Sequence, residues 1–336
     1  MLSGVFKQEG AAKGIVCRAP VRISFFGGGT DYPQWFERYG GAVLSTTICK
    51  YCYAIGCHSS EYLEERRELW LPLAGQTQDQ QEHALITRLL EHLKLPGGSV
   101  IRTGSQISRG SGLGTSAALI VSVLGCVYQL LGVNFSREKL ATDAISLERE
   151  ILERAVGNQD PIAASHGGLN HITFTREGKS TVRRLTVAAS RIEELQSYLR
   201  IIHTGRTRDS ADIASTYTLE SPQSVAALTS ISSMVTRAVE IIEGNQALTS
   251  FGVLLDESWR EKKRLSRFIS NNVVDEIYDN AMREGAIGGK LLGAGGGGFL
   301  LLFAAPSAYE QIQRRLGRFR LESVLLDTLG FQSWTF

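Results

Sequence analysis

The chain has 336 residues, 43% of them hydrophobic and 21% charged, which is typical of a soluble globular protein of one large or two ordinary domains. Its 36 basic and 34 acidic residues leave a net charge of +2 without a basic block, so nucleic acid and membrane are not expected partners. No apolar signal segment stands at the start and no apolar run could span a bilayer, so we expect a cytoplasmic protein.

Apolar periodicity predicts alternating strands and helices through the first half of the chain. The expected strands cover residues 14–26, 42–57 and 99–102, with a fourth in the segment 166–174. The expected helices cover residues 33–39, 82–94, a segment from Thr115 onward, and 136–155. Residues 157–161 are expected to end the last of these helices. The charged, glutamine-rich residues 58–80 are expected to form a surface hairpin or loop.

The second half begins after a boundary that we place near residues 186–196. Its expected strands cover residues 199–203, 300–303 and about 321–327. Its expected helices cover about 209–219, 222–243, 246–269, 273–285 and 307–318. Together the two halves predict an α+β protein with two lobes, divided into domains 1–195 and 196–336.

The five cysteines form no convincing metal site. Cys49, Cys52 and Cys57 lie in one predicted strand, where positions three apart face opposite sides. No second cysteine pair follows at the spacing of a zinc ribbon. We therefore expect all five, which include Cys17 and Cys126, to be buried free thiols.

Residues 104–124 change at Thr115 from a polar, glycine-rich loop to a small apolar segment. We expect a buried helix there, with Thr115 or Ser116 as its N-cap. Such a loop can bind phosphate, because the first N–H groups of a helix lack intrahelical partners and glycines let an anion approach. No lysine follows as in a Walker A loop, and the degenerate dinucleotide fingerprint from Gly112 follows a polar loop, 103–111, instead of a strand. A glycine turn before a core helix remains an alternative.

Three glycine clusters, 27–29, 110–114 and 293–298, indicate a shared cleft. The segments that contain them, 19–32, 110–118 and 290–299, resemble the three motifs of the GHMP kinases, named after galactokinase, homoserine kinase, mevalonate kinase and phosphomevalonate kinase. The resemblance implies a ribosomal-S5-domain-2-like N-terminal lobe, a ferredoxin-like C-terminal lobe, ATP as co-substrate and Mg²⁺. Glycines 27–29 replace acidic and histidine residues of galactokinase, which argues against galactose, and Thr115 replaces the usual serine.

Within that family, residues 148–160, 203–208 and 257–263 look like the branch of heptose 7-phosphate kinases. That resemblance implies phosphorylation of the anomeric hydroxyl of D-glycero-D-manno-heptose 7-phosphate, on the way to nucleotide-activated heptose for surface polysaccharide. The implied partners are the sugar phosphate and ATP, and the chain is expected to be a monomer or homodimer. A kinase for another sugar, such as fucose, and a non-catalytic homologue are the alternatives.

The resemblance also assigns roles to residues. Asp160 is the expected catalytic base, with Arg22 as its neighbour, although an Asp before Pro161 is also a common turn residue. Ser116 and Glu148 are the expected metal ligands, with Glu150 and Glu153 as competitors for Glu148. The expected nucleotide-binding residues are Gly110, Ser111, Gly112, Leu113, Gly114, Thr115 and Ser116. The expected substrate-binding residues are Gly28, Gly29, Thr30, Asp31, Asn158, Gln159, Arg206, Arg208, Gly295 and Gly296. Arg206 and Arg208 would bind a distal phosphate, unless they form an ordinary basic surface loop.

Overall fold

The computed structural model describes residues 14–58, 80–93, 95, 99–152, 156–205 and 221–336. Its strands are β1 (Gly14–Phe26), β2 (Gly41–Cys57), β3 (Val100–Ser105), β4 (Leu169–Phe174), β5 (Ser180–Arg184), β6 (Leu199–His203), β7 (Ala286–Leu291), β8 (Phe299–Ala304), β9 (Leu321–Ser323), β10 (Leu326–Asp327) and β11 (Gln332–Thr335). Its helices are α1 (Pro33–Tyr39), α2 (Gln80–Leu93), α3 (Thr115–Leu130), α4 (Arg137–Leu152), α5 (Gln159–His166), α6 (Ala189–Ser197), α7 (Pro222–Glu243), α8 (Thr249–Lys263), α9 (Asn272–Arg283) and α10 (Tyr309–Leu316).

The first sheet is organised around the long strand β2. Along one edge β2 pairs with β1, which in turn pairs with β11. Along the other edge β4, β10 and β3 pair with successive parts of β2, and β5 pairs with β4. Every pairing is antiparallel. Helix α3 packs on β1 and β2 and is almost entirely buried, which explains why its sequence is apolar without a polar face.

The second sheet has the antiparallel order β7-β8-β6-β9. Helices α8 and α9 pack on β7 and β8. The ring of Phe251, on α8, meets the rings of Phe25 and Phe26 edge-on at centroid distances of 5.3 and 5.1 Å. Because Phe25 and Phe26 end β1, this aromatic cluster joins the two lobes at the point where the chain enters its first glycine cluster.

Most of the predicted elements that fall on described residues are present at the predicted places. The expected helix 209–219 and nearly all of the expected hairpin or loop 58–80 lie outside the described residues. The polar loop after β3 begins later than expected, because the strand continues to Ser105. Helix α5 was not predicted, since it has only eight residues and contains Pro161 in its first turn. The expected strand 321–327 is two short strands in different sheets, and β5 and β11 were missed.

The sheets separate near the predicted boundary, with one exception. Strands β10 and β11 lie in the proposed C-terminal domain by number but pair with β2 and β1 of the first sheet. The division at residue 195 therefore separates the sheets only up to β9, and we retain it as a proposal for that part of the chain.

Two local expectations are wrong. Gly114 is the N-cap of α3, in the left-handed region at φ 76°, and no side chain caps the helix; Thr115 and Ser116 are instead its first residues. Cys49 is exposed, while the other four cysteines are buried free thiols as expected. Among the described residues, no group of three or more His, Cys, Asp or Glu side chains could hold a metal ion.

One helix of the described chain, α7, is long and apolar enough to span a membrane by length and composition. Half of its most apolar window is buried inside the protein. Its buried side chains, among them Leu228, Ile231 and Val235, lie in the hydrophobic cores. This is the pattern of a core helix, so α7 is weak evidence for a membrane span.

Candidate active site

A partly buried ion pair joins two segments that are 138 residues apart. Arg22, on β1, donates from Nε to Asp160 Oδ1 and from Nη2 to Asp160 Oδ2, both at 2.7 Å. Its remaining guanidinium nitrogen, Nη1, donates to the Gly112 carbonyl oxygen at 2.7 Å. The Arg22 side chain is 7% exposed and that of Asp160 24%, so the carboxylate still faces the cleft. The guanidinium thus fixes the carboxylate beside the glycine loop.

The glycine loop leads directly into α3. The first intrahelical bond of α3 is donated by the Ala118 N–H to the Gly114 carbonyl. The N–H groups of Thr115, Ser116 and Ala117 therefore have no intrahelical acceptor, and all three residues line the cleft. The resulting partial positive charge favours an anion at this helix end. There is little space for a side chain beside this helix end. A Cβ on Gly114 would lie 3.0 Å from Asp160 Oδ2.

The second and third glycine clusters pack backbone against backbone. A Cβ on Gly112, whose φ is 82°, would lie 2.4 Å from the Leu292 carbonyl oxygen. A Cβ on Gly293 would lie 2.5 Å from Gly112 Cα. The Phe299 N–H also donates to the Ser111 carbonyl at 2.9 Å. The seam between residues 110–112 and 292–299 closes one wall of the cleft, and glycine is required there for space as well as for conformation.

Asp31 lies at the first glycine cluster. Its carboxylate accepts from the Gly29 N–H at 3.0 Å and from the Gln159 N–H at 3.3 Å. Burial raises the pKa of Asp31 to about 6, the nearby Asp160 charge adds to the rise, and these two hydrogen bonds oppose it. Asp31 is 1% exposed, so it reaches the cleft only with its edge.

Two buried polar atoms in the same wall have no hydrogen-bond partner within the described part of the chain. They are Ser24 Oγ and Gln159 Oε1, on residues that are each 6% exposed and line the cleft. A Cβ on Gly28 would lie 3.4 Å from Ser24 Oγ and 3.9 Å from Gln159 Nε2, so these groups surround one point. Unpaired buried polar atoms are costly, which indicates a place for ligand hydroxyls.

Among the candidate metal ligands, the structure favours Glu148 over Glu150. Glu148 is 6% exposed and lines the cleft together with Ser116. Glu150 faces outward, 59% exposed, with its Oε2 3.2 Å from His92 Nε2. Ser116 Oγ accepts from Arg109 Nε at 3.0 Å, which leaves it a free lone pair. One carboxylate and one hydroxyl beside a phosphate site fit the oxygen ligands that Mg²⁺ takes alongside phosphate and water. Glu153 lies outside the described residues.

The structure brings most of the predicted site residues into one cleft: Arg22, Gly28, Gly29, Asp31, Gly110, Ser111, Gly112, Gly114, Thr115, Ser116, Glu148, Gln159 and Asp160. Leu113 lies in the core instead, with its carbonyl accepting from the Arg22 N–H. The Thr30 hydroxyl is buried and donates to backbone carbonyls, so it shapes the loop. Asn158 accepts from Arg149 at 2.5 Å, away from the cleft lining. Gly295 and Gly296 do not line it either, while Gly293 and Ala294 do. Arg206 and Arg208 lie outside the described residues.

Sequence reasoning assigned no role to two lysines in the cleft wall, Lys262 and Lys290. Lys290 Nζ donates to the Phe25 carbonyl at 2.9 Å, and Lys262 Nζ donates to the carbonyls of Leu291 and Gly293 at 2.9 and 2.5 Å. Burial, with the Arg22 charge, lowers the pKa of Lys290 to about 7. Burial, with the Lys290 and Arg22 charges, lowers the pKa of Lys262 well below its ordinary value. The one signal in the sequence for such a lysine was the position of Lys290 inside the apolar strand that precedes the third glycine cluster.

The chain is similar to known proteins along most of its length. The N-terminal domain of the GHMP kinases matches residues 83–168, and their C-terminal domain matches residues 239–321. A D-glycero-alpha-D-manno-heptose 7-phosphate kinase of Campylobacter jejuni is 30% identical over 96% of this chain and 99% of its own length. A bifunctional fucokinase/GDP-fucose pyrophosphorylase of Arabidopsis thaliana is 28% identical over 88% of this chain but 30% of its own.

The fold has solved counterparts. The crystal structure of a D-glycero-D-manno-heptose 1-phosphate kinase from Bacteroides thetaiotaomicron superposes with a TM-score of 0.75 over 96% of this chain and 99% of that one. Its sequence identity is 23%, so this likeness concerns the fold. It confirms the α+β, two-lobed architecture expected from the three motifs.

Proposed function

The chain belongs to the GHMP kinases and is an ATP-dependent sugar kinase, and on this premise we propose that it phosphorylates the anomeric C1 hydroxyl of D-glycero-D-manno-heptose 7-phosphate. The product would be the 1,7-bisphosphate. The observation that carries the proposal is the similarity to a heptose 7-phosphate kinase along almost the whole of both chains. The orphaned hydroxyl and amide oxygens of Ser24 and Gln159, beside Asp160, support a polyhydroxylated acceptor.

The mechanism follows from the position of Asp160. Its carboxylate is held by Nε and Nη2 of Arg22 and retains lone pairs toward the cleft, so it can orient an acceptor hydroxyl and accept its proton. In phosphoryl transfer a carboxylate can serve as the base, because the transition state is loose and the nucleophile loses its proton late.

The N-terminal end of α3 would hold the phosphates of ATP. The free N–H groups of Thr115, Ser116 and Ala117 and the glycines before them supply donors without side-chain bulk. Ser116 and Glu148 would hold Mg²⁺, which neutralises phosphate charge when it is bound. The acceptor would lie against Gly28, Gly29 and Asp31.

The pKa of Asp31 gives a pH prediction. If Asp31 must be ionised to accept from a sugar hydroxyl, kcat/KM should fall as the pH drops below about 6, two units above the range of an ordinary aspartate. The test compares the pH profiles of wild type and Asp31→Asn. The phosphate of the acceptor also titrates near pH 6, but it does so with both proteins, so a difference between the two profiles comes from Asp31. We expect the acid limb to disappear in Asp31→Asn. A limb that persists there would come from the substrate.

The substrate can be tested through Arg206 and Arg208. If they bind the 7-phosphate, the double substitution Arg206→Ala/Arg208→Ala should raise KM for the heptose phosphate by about 100-fold, at about tenfold or more per charge-assisted contact. Initial rates with heptose 7-phosphate, the unphosphorylated heptose and fucose are the measurement. The matched control is Arg314→Ala/Arg315→Ala, which removes two arginines from α10 outside the cleft.

Two outcomes would contradict the assignment. Turnover with unphosphorylated sugars alone would favour a kinase for another sugar, for which the fucokinase relative gives the precedent. Nucleotide binding without turnover of any sugar would indicate a non-catalytic homologue. As a heptose kinase, the chain would act in the cytoplasm, as a monomer or homodimer, in the supply of nucleotide-activated heptose for surface polysaccharide.

A further inference from the structure

Lys262 has a buried ammonium group and no carboxylate partner among the described residues. It extends from the last turn of α8, and its Nζ donates to the carbonyls of Leu291 and Gly293. An ammonium group has three N–H donors, so these two bonds leave one donor for the cleft, which the side chain lines. Within the described ranges, no carboxylate forms an ion pair with Lys262. A desolvated ammonium of this kind is unfavourable unless an anion joins it.

Its neighbour along the helix shows the ordinary arrangement. Lys263 Nζ lies 3.3 Å from Asp275 Oδ1, and its side chain is 38% exposed. Both ammonium groups lie near the ring of Trp259, at 5.9 Å for Lys262 and 5.6 Å for Lys263. The two lysines therefore share a helix and an aromatic contact, and differ in whether a carboxylate is present.

The position of Lys262 points to the reacting phosphoryl group. Gly293, whose carbonyl accepts from Lys262, packs directly on Gly112 of the phosphate loop. The Gly112 carbonyl accepts from Arg22, which holds Asp160. Burial lowers the pKa of Lys262, and the Lys290 and Arg22 charges are close enough to lower it further. Lys262 thus lies at the seam between the lobes, across the phosphate loop from the proposed base.

We propose that the Lys262 ammonium contacts the phosphoryl group as it moves from ATP to the sugar and stabilises its charge in the transition state. The proposal rests on the kinase function above. The bond from phosphorus to the acceptor oxygen forms while the bond from phosphorus to the β–γ bridging oxygen breaks. The electron pair of the broken bond stays on ADP and the acceptor proton passes to Asp160. Lys262 transfers no proton.

Lys290 has a different part. It is 4% exposed, and its bond to the Phe25 carbonyl ties β7 to the end of β1, just before the first glycine cluster. It is a positioning residue that brings the wall containing Lys262 toward the acceptor site, and its charge lowers the pKa of Lys262. An incoming phosphoryl group would reverse that effect, because a nearby anion favours the charged form of a lysine.

The test compares Lys262→Gln with Lys263→Gln. For Lys262→Gln we expect kcat to fall by about 10- to 100-fold, which is somewhat less than the loss of kcat when a neutral oxyanion-hole donor is removed. The Kd of MgADP and the KM of the sugar should stay within about twofold of their wild-type values. Binding of MgADP with aluminium fluoride, which mimics the transferring group, should weaken by a similar factor. Lys263→Gln should match wild type in all four measurements. These measurements separate charge stabilisation from support of the glycine loop, which would alter MgADP binding as well.

A rescue keeps the test independent of folding. Lys262→Cys treated with 2-bromoethylamine regains an ammonium group at nearly the same distance from the backbone, so the treatment should raise the kcat of this variant at least tenfold. Wild type treated in the same way is the control for modification of the exposed Cys49. Absence of rescue, an unchanged kcat in Lys262→Gln, or equal weakening of MgADP and of the aluminium fluoride complex would overturn the proposal. If wild type itself turns over no sugar, the proposed function fails; an active wild type with an equally active Lys262→Gln removes only this inference.

Discussion

Replacement of Asp160 by Asn is expected to lower kcat by about 10³-fold, or about 4 kcal/mol of transition-state stabilisation, with nucleotide affinity unchanged within about twofold. An amide cannot take the proton of the acceptor hydroxyl. Its NH₂ group would also face one of the two Arg22 nitrogens that now donate to the carboxylate at 2.7 Å. Steady-state rates with isothermal titration of MgADP measure both parts of the prediction.

The control for this prediction is Asp143→Asn. Asp143 also accepts two side-chain hydrogen bonds, from Lys139 at 2.7 Å and from the Tyr128 hydroxyl at 2.6 Å, but it lies on α4 outside the cleft lining. It should keep wild-type kcat. An Asp160→Asn enzyme with nearly wild-type kcat would exclude Asp160 as base, and a parallel loss of MgADP binding would assign it a structural role in the phosphate loop.

Gly112→Ala is expected to reduce the free energy of unfolding by about 3 kcal/mol and to weaken nucleotide binding by about 100-fold. The residue has φ 82°, and its new methyl group would lie 2.4 Å from the Leu292 carbonyl oxygen. That carbonyl cannot easily retreat, because the Leu292 N–H is bonded to Phe299 at 2.9 Å. The loop must therefore move away from the seam, and the N–H groups that follow it no longer point toward the same phosphate position. Chemical denaturation and MgADP titration measure the two effects.

Gly132→Ala separates conformational strain from the steric clash. Gly132 has a comparable φ of 65°, but a Cβ there would meet no atom within 4 Å. It should cost only the strain of a left-handed residue, about 1 kcal/mol, and leave nucleotide binding unchanged. Equal losses in the two variants would show that the contact between the glycine clusters does not constrain the site.

The sequence was most informative where local chemistry decides the structure. The three glycine clusters, Arg22 and Asp160 could be predicted, because phosphate loops and the motifs of a known family leave a local pattern, and the structure brings them together. Helical periodicity was also sufficient for long elements such as α7, which was predicted at 222–243 and extends over Pro222–Glu243. Of the metal candidates, only the structure could distinguish Glu148 from Glu150, because facing inward or outward depends on the tertiary packing of α4.

The remaining differences between expectation and structure have specific physical causes. Thr30 was expected to bind sugar, but its hydroxyl is used by the backbone carbonyls of Gly27 and Ala42, a partner choice that residue type does not reveal. Lys262 was overlooked because a lysine near a helix end ordinarily faces solvent. Strand β10 has only two residues and pairs with a segment 280 positions earlier, beyond the range of any local pattern.

The return of β10 and β11 to the first sheet imposes an order on biosynthesis. During translation β1 to β5 are made early. One edge of β2 at Thr47 and Ile48, and the outer edge of β1 at residues 15–18, nevertheless have no partner strand until residues 326–335 have been made. During most of translation these edges are open to pairing with other chains. We infer that the N-terminal lobe reaches its final form only after the second lobe has emerged, and that pairing over such a sequence distance makes this a slow folding step.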